Sequence, residues 1–181
     1  KLSYEGFKEI SFFIKLFYIF ISLIKIKPLQ LGFFYSPKIK EYVHKNHQNY
    51  DLIFFQSFRT AQYMPKNINK KCILDMGDLM SKNYMQTSAR YFFFSPIRIV
   101  YYLESLLVKR YESFCFKRFT KILLLSKKEM DSVEKIFKKK LIQISFGITS
   151  VYKKYRFNQK NHKIIFIGNM KYAPNRKACY E

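Results

Sequence analysis

Two carboxylates stand at the end of an apolar run in the sequence CILDMGD, which covers residues 72–78. A continuous apolar run of this length is typical of a buried strand, and in parallel α/β sheets ligands bind beyond the carboxyl ends of the strands. A carboxylate there can act as a general base or bind sugar hydroxyls. We therefore predict Asp75 and Asp78 as candidate catalytic residues. The alternative is that Asp78 or Ser81 caps the segment that follows.

Two further polar side chains follow the apolar run YDLIFFQ, residues 50–56. Arg59 and Gln62 come directly after this predicted strand, so they are expected at the same edge of the sheet as Asp75. A guanidinium and an amide can contact an anionic or polyhydroxyl ligand. The alternative is an exposed turn without a ligand.

A glycine follows a third apolar run near the end of the chain, in the sequence KIIFIGNMKYAPN from residue 163. Gly168 precedes a polar turn, and Pro174 with Asn175 is typical of a helix start. A glycine between a strand and a helix lets backbone N–H groups approach a phosphate, and the helix N-terminus adds partial positive charge. The pattern predicts a phosphate-facing turn, unless Gly168 only ends the strand.

Several familiar catalytic patterns are missing from the sequence. It contains no GxGxxG, GxxxxGK[ST], HExxH or GxSxG pattern. This disfavours dinucleotide enzymes, P-loop NTPases, zinc proteases and serine hydrolases. Histidine and cysteine do not cluster at metal-ligand spacing, so we expect no metal site. We expect no resident cofactor either.

The strands that must position these residues are short and continuously apolar. Strands are predicted over 50–56, 71–78, 121–125 and 141–145, and a strand or extended segment over 30–35. Such runs are typical of strands buried on both faces of a parallel sheet. Because helical segments alternate with them, we predict an α/β fold with a doubly wound parallel sheet.

Helices are predicted from apolar spacing and end signals over 10–24, 36–48 and 96–119. In the second, Ser36 is the expected cap. In the third, the apolar face is expected to contain Leu103, Leu107, Tyr111 and Phe114. Ser126 and Glu129 form a capping-box pattern that should open a further helix. A short helical turn should end at Pro65, and the segment 81–95 has no clear period and is predicted to be a loop.

The chain is strongly basic, with 34 Lys and Arg against 12 Asp and Glu among 181 residues and a net charge of +22. This favours anionic partners such as lipid head groups, nucleic acid or phosphorylated substrates. The Lys-, Ile-, Phe- and Asn-rich composition is also typical of an AT-rich genome. The aromatic residues lie in apolar runs without an RNA-binding motif, so we expect no specific nucleic-acid partner.

The stretch 10–24 is the most apolar in the sequence, but it is 15 residues long and contains Lys15. It is therefore shorter than the roughly 20 residues that cross a bilayer. A core or interface helix, a helix at the membrane surface and a true span all stay open. Three cysteines without a CxxC pair favour a reduced, cytoplasmic protein. We expect a cytoplasmic location with peripheral contact at the inner, anionic face of the membrane.

The polar stretch at 151–162 has the composition of a linker between domains. We predict a first domain over 1–150 and the opening strand, turn and helix of a second domain over 163–181.

Five segments of the sequence resemble, in order, those of bacterial family-4-like glycosyltransferases, in particular sugar transferases of exopolysaccharide clusters. The resemblance extends from about residue 28 to residue 181. The segments are YDLIFFQSFRTAQYMP, CILDMGDLMSKNY, RYESFCFKRFTKILLLSKKEMD, ISFGIT and IIFIGNMKYAPNRKACYE.

The resemblance implies the GT-B architecture, in which two Rossmann-like domains face each other across a cleft. It implies transfer of a sugar from a nucleotide-sugar co-substrate to a glycan or lipid-linked acceptor in cell-surface polysaccharide synthesis, with retention and without a metal. By position, the acceptor-side residues are Arg59, Gln62, Asp75, Asp78 and Ser81. The donor-phosphate residues implied by the resemblance are Gly168, Asn169, Met170, Lys171, Asn175 and Arg176.

The sequence departs from this family at one position, because many relatives have a histidine where this strand ends in Asp75. The resemblance also implies a glycine-rich loop before Lys1 and paired glutamates beyond Glu181. The chain is thus expected to be a fragment that is inactive by itself. The alternatives are a non-catalytic basic module that binds nucleic acid or anionic membrane, and a related two-domain enzyme such as a sugar-nucleotide epimerase.

Overall fold

The structure is a computed structural model, and it describes residues 11–68, 71–144, 166–170 and 173–180. The chain divides into two compact units, Lys1–Phe146 and Gly147–Glu181. The predicted linker at 151–162 lies outside the described residues, so the domain organisation stays a prediction.

The described residues contain seven α-helices, three 3₁₀ turns and four strands. The helices are α1 (Phe12–Ile24), α2 (Leu29–Phe33), α3 (Pro37–Asn46), α4 (Met80–Ala89), α5 (Pro96–Arg118), α6 (Lys127–Asp131) and α7 (Ala173–Tyr180). The 3₁₀ turns are His47–Asn49, Thr60–Tyr63 and Lys135–Lys140, and the strands are β1 (Leu52–Gln56), β2 (Lys71–Gly77), β3 (Lys121–Leu124) and β4 (Leu141–Gln143).

The four strands form one all-parallel sheet in the order β1-β2-β3-β4. The architecture is therefore a Rossmann-like α/β fold, as the alternation of helices and apolar strands predicted. Strand order follows chain order without a reversal in the described residues. The doubly wound arrangement, which requires a reversal, stays a prediction.

One face of the sheet packs against the hydrophobic core. In β2, burial alternates along the strand, and the side chains of Cys72, Leu74 and Met76 are buried. The register places Phe55 beside Leu74, and Leu74 beside Ile122. Because paired residues of a parallel sheet point to the same side, these side chains share a single buried face. The helical layer adds Val108, Cys115 and Phe116 to the same core cluster.

The opposite face of the sheet is only partly covered in the unit that contains it. Phe54 of β1 is 54% exposed, and Ile142 of β4 is also exposed. Between them, Leu123 of β3 is buried. The prediction that all strands are buried on both faces is therefore wrong for β1 and β4. Both are the outermost strands of the described sheet, so each has a strand neighbour on one side only.

The long helix α5 begins at Pro96 as predicted, but its expected apolar face is buried only in part: Tyr111 is buried and Leu107 is half-buried. Leu103 and Phe114, both expected in the core, are 52% and 45% exposed. The buried residues of the helix include Val108 and two carboxylates, Glu104 and Glu112. Apolar spacing did not predict the burial of these two glutamates. Their carboxylates can be buried because they accept hydrogen bonds there.

Those two glutamates explain why two segments are helical against expectation. Segment 30–35, predicted as extended, lies mostly in α2, whose first N–H groups at Leu29 and Gln30 donate to the Glu104 carboxylate at 2.8 and 3.2 Å. Segment 81–95, predicted as a loop, contains most of α4, where the N–H of Ser81 donates to Glu112 at 3.0 Å. The first N–H groups of a helix lack partners within it, and here α5 supplies them.

Helix α6 begins after Ser126, as the capping-box pattern predicted, but the hydrogen bonds of a capping box are not formed. The Ser126 side chain accepts no capping hydrogen bond. The Glu129 carboxylate instead accepts a hydrogen bond from the N–H of Leu79 at 3.2 Å. By contrast, the cap at Ser36 is confirmed, because its hydroxyl accepts from the N–H of Ile39 in α3.

Candidate active site at the carboxyl edge of the sheet

Strands β1 and β2 end side by side, with Gln56 opposite Asp75. Each strand is followed or ended by a residue with a left-handed backbone: φ is 72° at Ser57 and 69° at Gly77. The N–H of Ser57 donates to the carbonyl of Asp75 at 2.7 Å. A positive φ is unusual for serine, and such conformations are found preferentially at functional sites. The two turns fix the backbone around Asp75.

A groove of about 500 Å³ opens at this edge and continues onto the partly covered face of the sheet. Its polar lining comes from Gln56, Ser57 and Asp75. The other lining residues are apolar or glycine: Phe54, Met76, Gly77, Leu123, Leu124, Leu125 and Ile144. A half-buried carboxylate beside an amide, a hydroxyl and an apolar wall can accept hydrogen bonds from a polyhydroxyl ligand or take a proton from one hydroxyl.

Asp78 lies just beyond β2, is exposed, and is not among the residues that line this groove. It neighbours the carboxylate of Glu129. Burial raises the pKa of Glu129, and the charge of Asp78 raises it further, while Leu79 and Lys82 act in the opposite direction. Asp75, within β2, and Asp78, just beyond it, therefore have different surroundings.

Ser81 is buried and lines a second cavity, of about 430 Å³, whose other lining residues include residues of α4 and α5. Its hydroxyl donates to Glu112 at 2.5 Å and its N–H to the other carboxylate oxygen at 3.0 Å. Burial raises the pKa of Glu112, which these hydrogen bonds oppose. The observed partner of Ser81 is thus a structural carboxylate.

Arg59 and Gln62 are half-buried, so the exposed turn that was their alternative is not observed. The guanidinium of Arg59 donates to the side chain of Gln30 at 2.6 Å and lies 4.4 Å from the ring centre of Phe34. Gln62 lines a different cavity, with Lys25 and Lys27 on its wall.

In the second unit, the predicted phosphate turn is held by an asparagine. The amide of Asn175 in α7 donates to the carbonyl of Asn169 at 3.1 Å. A Cβ on Gly168 would lie 2.9 Å from that amide nitrogen, so the Asn175 side chain would have to shift. Met170 and Arg176 are exposed, and Lys171 lies outside the described residues. Helix α7 begins at Ala173, close to the start that Pro174 predicted.

Three residues at the sheet edge were not singled out as site residues from the sequence, although 56–63 was expected at that edge. Gln56 could have been found, because it is the polar residue that ends the apolar run of β1. Ser57 could not, because nothing in the local sequence indicates a positive φ. Glu129 was assigned to a cap, and only the fold brings it to the N–H of Leu79.

Neither a metal cluster nor a spanning helix occurs in the described parts of the chain. Within 11–68, 71–144, 166–170 and 173–180, no three His, Cys, Asp or Glu side chains are grouped so that they could hold a metal ion. No helix in those ranges combines the length and the apolar content needed to cross a membrane.

No protein-family model, curated protein or solved structure matches this chain. The functional proposal therefore depends on the fold, on the geometry of the chain's own residues and on the resemblance of its motifs.

Proposed function

We propose that the chain is part of a GT-B glycosyltransferase that transfers a sugar from a nucleotide-sugar to a glycan or lipid-linked acceptor in cell-surface polysaccharide synthesis. The observation that carries the proposal is Asp75 in the groove at the carboxyl edge of the parallel sheet. Ligands of open α/β sheets bind at that edge. The resemblance of the motifs narrows the class of ligand to sugars.

In this proposal, the unit with the sheet binds the acceptor. The Asp75 carboxylate accepts a hydrogen bond from a sugar hydroxyl, and Gln56 with Ser57 orients the neighbouring hydroxyls. Asp78 lies outside the groove lining, at the solvent-exposed side of the same edge. There it is available to a longer acceptor.

The second unit contributes the turn that faces the donor phosphates. The backbone of Gly168, Asn169 and Met170 lies next to α7, and the N-terminal end of a helix favours anions. Asn175 fixes the turn through its bond to Asn169. Arg176, with Lys171 beside it in sequence, supplies positive charge. The reaction proceeds with retention and without a bound metal in this proposal.

The test is sugar transfer by the protein expressed from its complete reading frame. Labelled nucleotide-sugars are supplied together with membrane extract, and the labelled glycan or lipid product is counted. We expect transfer from one donor, reduced about 100-fold or more by Asp75→Asn, because a positioned acid–base group contributes about 10²–10⁴-fold.

The matched control is Asp51→Asn. Asp51 is exposed and precedes β1, at the opposite end of the strand from the groove. This substitution removes the same charge and should leave transfer unchanged. Absence of transfer with every donor, or an equal loss in both variants, would contradict the proposal.

A second candidate function, peripheral binding to anionic membrane, is favoured by α1. Exposed apolar side chains are distributed along this helix: Phe12, Phe13, Ile14, Leu16, Phe17, Phe20, Leu23 and Ile24. Lys15 lies among them and Lys25 follows the helix. Apolar residues with interspersed cations are typical of helices that lie at a membrane surface. The two functions are compatible, because a lipid-linked acceptor is located at the membrane.

A further inference from the structure

A small cavity between α1, α2 and α3 has an unusual concentration of positive charge. It has a volume of about 200 Å³, and Lys25, Lys27 and Lys40 line it together. No carboxylate is found among its described lining residues. In the described part of the chain, the one salt bridge joins Lys45 to Glu41, away from this lining.

The charges of Lys25 and Lys40 act on the ammonium group of Lys27. Burial lowers the pKa of Lys27, and the positive charges of Lys25 and Lys40 lower it further. Like charges held near one another raise the free energy of the folded protein unless an anion compensates them. A bound anion would therefore lower the free energy of this arrangement.

A buried hydrogen-bond donor lies in the same cavity. The side-chain nitrogen of Gln62 is buried and has no acceptor among the described residues. Gln62 lines the cavity with the three lysines. A buried donor without a partner is costly, and such a group is uncommon unless a ligand or water satisfies it.

The backbone around the cavity is constrained. Ile26, between Lys25 and Lys27, has a φ of 50°, which is an outlier for a β-branched residue. A Cβ on Gly32 would collide with the carbonyl oxygen of Tyr18, so α1 and α2 cross too closely for any other residue. The turn and the crossing together hold the two lysines beside the cavity.

On the other side of the turn Lys25–Lys27, cationic side chains and an unpartnered buried polar atom again line one cavity. A neighbouring cavity of about 210 Å³ is lined by Lys25, Lys27 and Arg110, and also by Tyr111. The Tyr111 hydroxyl is the second buried polar atom without a partner in the described residues. Both unpartnered groups thus lie next to the cationic turn Lys25–Lys27.

We propose that the cavity formed by Lys25, Lys27, Lys40 and Gln62 is a binding site for a phosphate group. Ammonium groups and an amide N–H are donors that match the several acceptor oxygens of a phosphate, and charge-assisted bonds of this kind are the strong ones. The cavity is large enough to accept a phosphate group. The phosphate belongs either to a soluble compound or to a lipid head group, since exposed Leu23, Ile24 and Ile26 adjoin the turn.

The test has a soluble arm and a lipid arm, both with the whole chain. In the first, inorganic phosphate and pyrophosphate are titrated by calorimetry at constant ionic strength. In the second, binding is measured to vesicles of phosphatidylcholine with and without phosphatidic acid. The variants are Lys27→Gln with Lys40→Gln, and separately Gln62→Leu. Unfolding midpoints confirm that each variant folds.

We expect saturable binding in at least one arm, weakened about tenfold or more by the double lysine variant, because it removes two charge-assisted donors. Gln62→Leu should weaken it less. Binding of phosphate alone assigns a soluble ligand. Binding of phosphatidic acid vesicles that excess phosphate does not displace assigns a lipid head group.

The matched control removes the same number of charges outside the cavity. Lys38 on α3 and Lys128 on α6 are exposed, as Lys25, Lys27 and Lys40 are, but they do not line the cavity. Lys38→Gln with Lys128→Gln should bind as the unmodified chain does. If this control weakens binding as much as the cavity variant, the interaction is with surface charge in general and the proposed site is refuted. Absence of saturable binding in both arms refutes it as well.

Discussion

At the scale of single residues, three glutamates stabilise backbone segments that are distant in sequence. Glu104 accepts from α2, Glu112 from Ser81, and Glu129 from Leu79. Burial raises the pKa of all three carboxyls, and their hydrogen bonds oppose this effect. These contacts join α5 and α6 to segments that the sequence analysis treated as independent.

The raised pKa of Glu112 predicts how stability changes with pH. Between the ordinary value of 4.5 and the raised folded value, the folded protein holds a proton that the unfolded chain has lost. Stability relative to Glu112→Gln should therefore increase as the pH falls from 7 toward 4.5. The gain is about 1.4 kcal/mol for each unit by which the folded pKa exceeds the unfolded one. Urea unfolding of both proteins at several pH values measures it.

Glu41→Gln is the control, because the pKa of Glu41 is lowered and its effect on stability should change with pH in the opposite direction. The hydrogen bond and charge of Lys45 lower the pKa of the exposed Glu41 carboxyl. Its contribution is present at neutral pH and is lost as the pH falls through the folded value. A difference between the original chain and Glu112→Gln that does not change with pH would show that the Glu112 pKa is not raised.

At the scale of elements, α1 presents most of its apolar side chains to solvent. A core helix was one of its expected roles and is not observed, because the buried residue of this helix is Ser22. The interface role stays a prediction. Helix α1 packs against α2 through the close crossing at Gly32, which leaves its phenylalanines exposed.

The exposed face of α1 predicts membrane binding that depends on its phenylalanines. Phe13 is 80% exposed, and burying such a side chain in the bilayer interface contributes about 1.5–3 kcal/mol. Phe13→Ser should therefore weaken co-sedimentation with anionic vesicles about tenfold or more. Ile136→Ser is the control, because Ile136 is 73% exposed beside lysines in another element. Equal losses in both variants would exclude a specific role of α1.

At the scale of the whole molecule, positive charge is in large excess. The chain has 34 Lys and Arg against 12 Asp and Glu. Several of the few carboxylates, including Glu104 and Glu112, are occupied by backbone or hydroxyl donors. Most cations therefore repel one another across the surface, and this repulsion lowers the stability of the folded chain.

Salt should consequently stabilise the protein. Raising NaCl from about 0.01 M to about 0.1 M shortens the Debye length from about 30 Å to about 10 Å. Screening reduces repulsion more in the compact state, where the charges are closer together. We expect the thermal unfolding midpoint, followed by circular dichroism, to rise over this range. A midpoint that falls would mean that attractive pairs outweigh the repulsion.

The sequence by itself determined the four strands of the sheet, their order along the chain, the cap at Ser36 and the start of α5 at Pro96. The buried strand expected before Gly168 is not observed in its described residues, because Phe166 and Ile167 lie outside any strand and are exposed. These features depend on short apolar runs and on backbone restrictions that act within a few residues. It also indicated Asp75, because a polar residue at the end of a buried strand must lie at the edge of the sheet.

Only the tertiary structure decided which side of α5 is buried and that α2 and α4 are helices. Glu104 and Leu29 are 75 residues apart in sequence, and Glu112 and Ser81 are 31 apart. A carboxylate can satisfy the N–H groups of a helix that is distant in sequence only after the chain has folded. The local pattern of apolar residues therefore cannot predict which carboxylate binds which helix. The cationic cavity at Lys25 and Lys27 has the same origin, since Lys40 and Gln62 reach it from other elements.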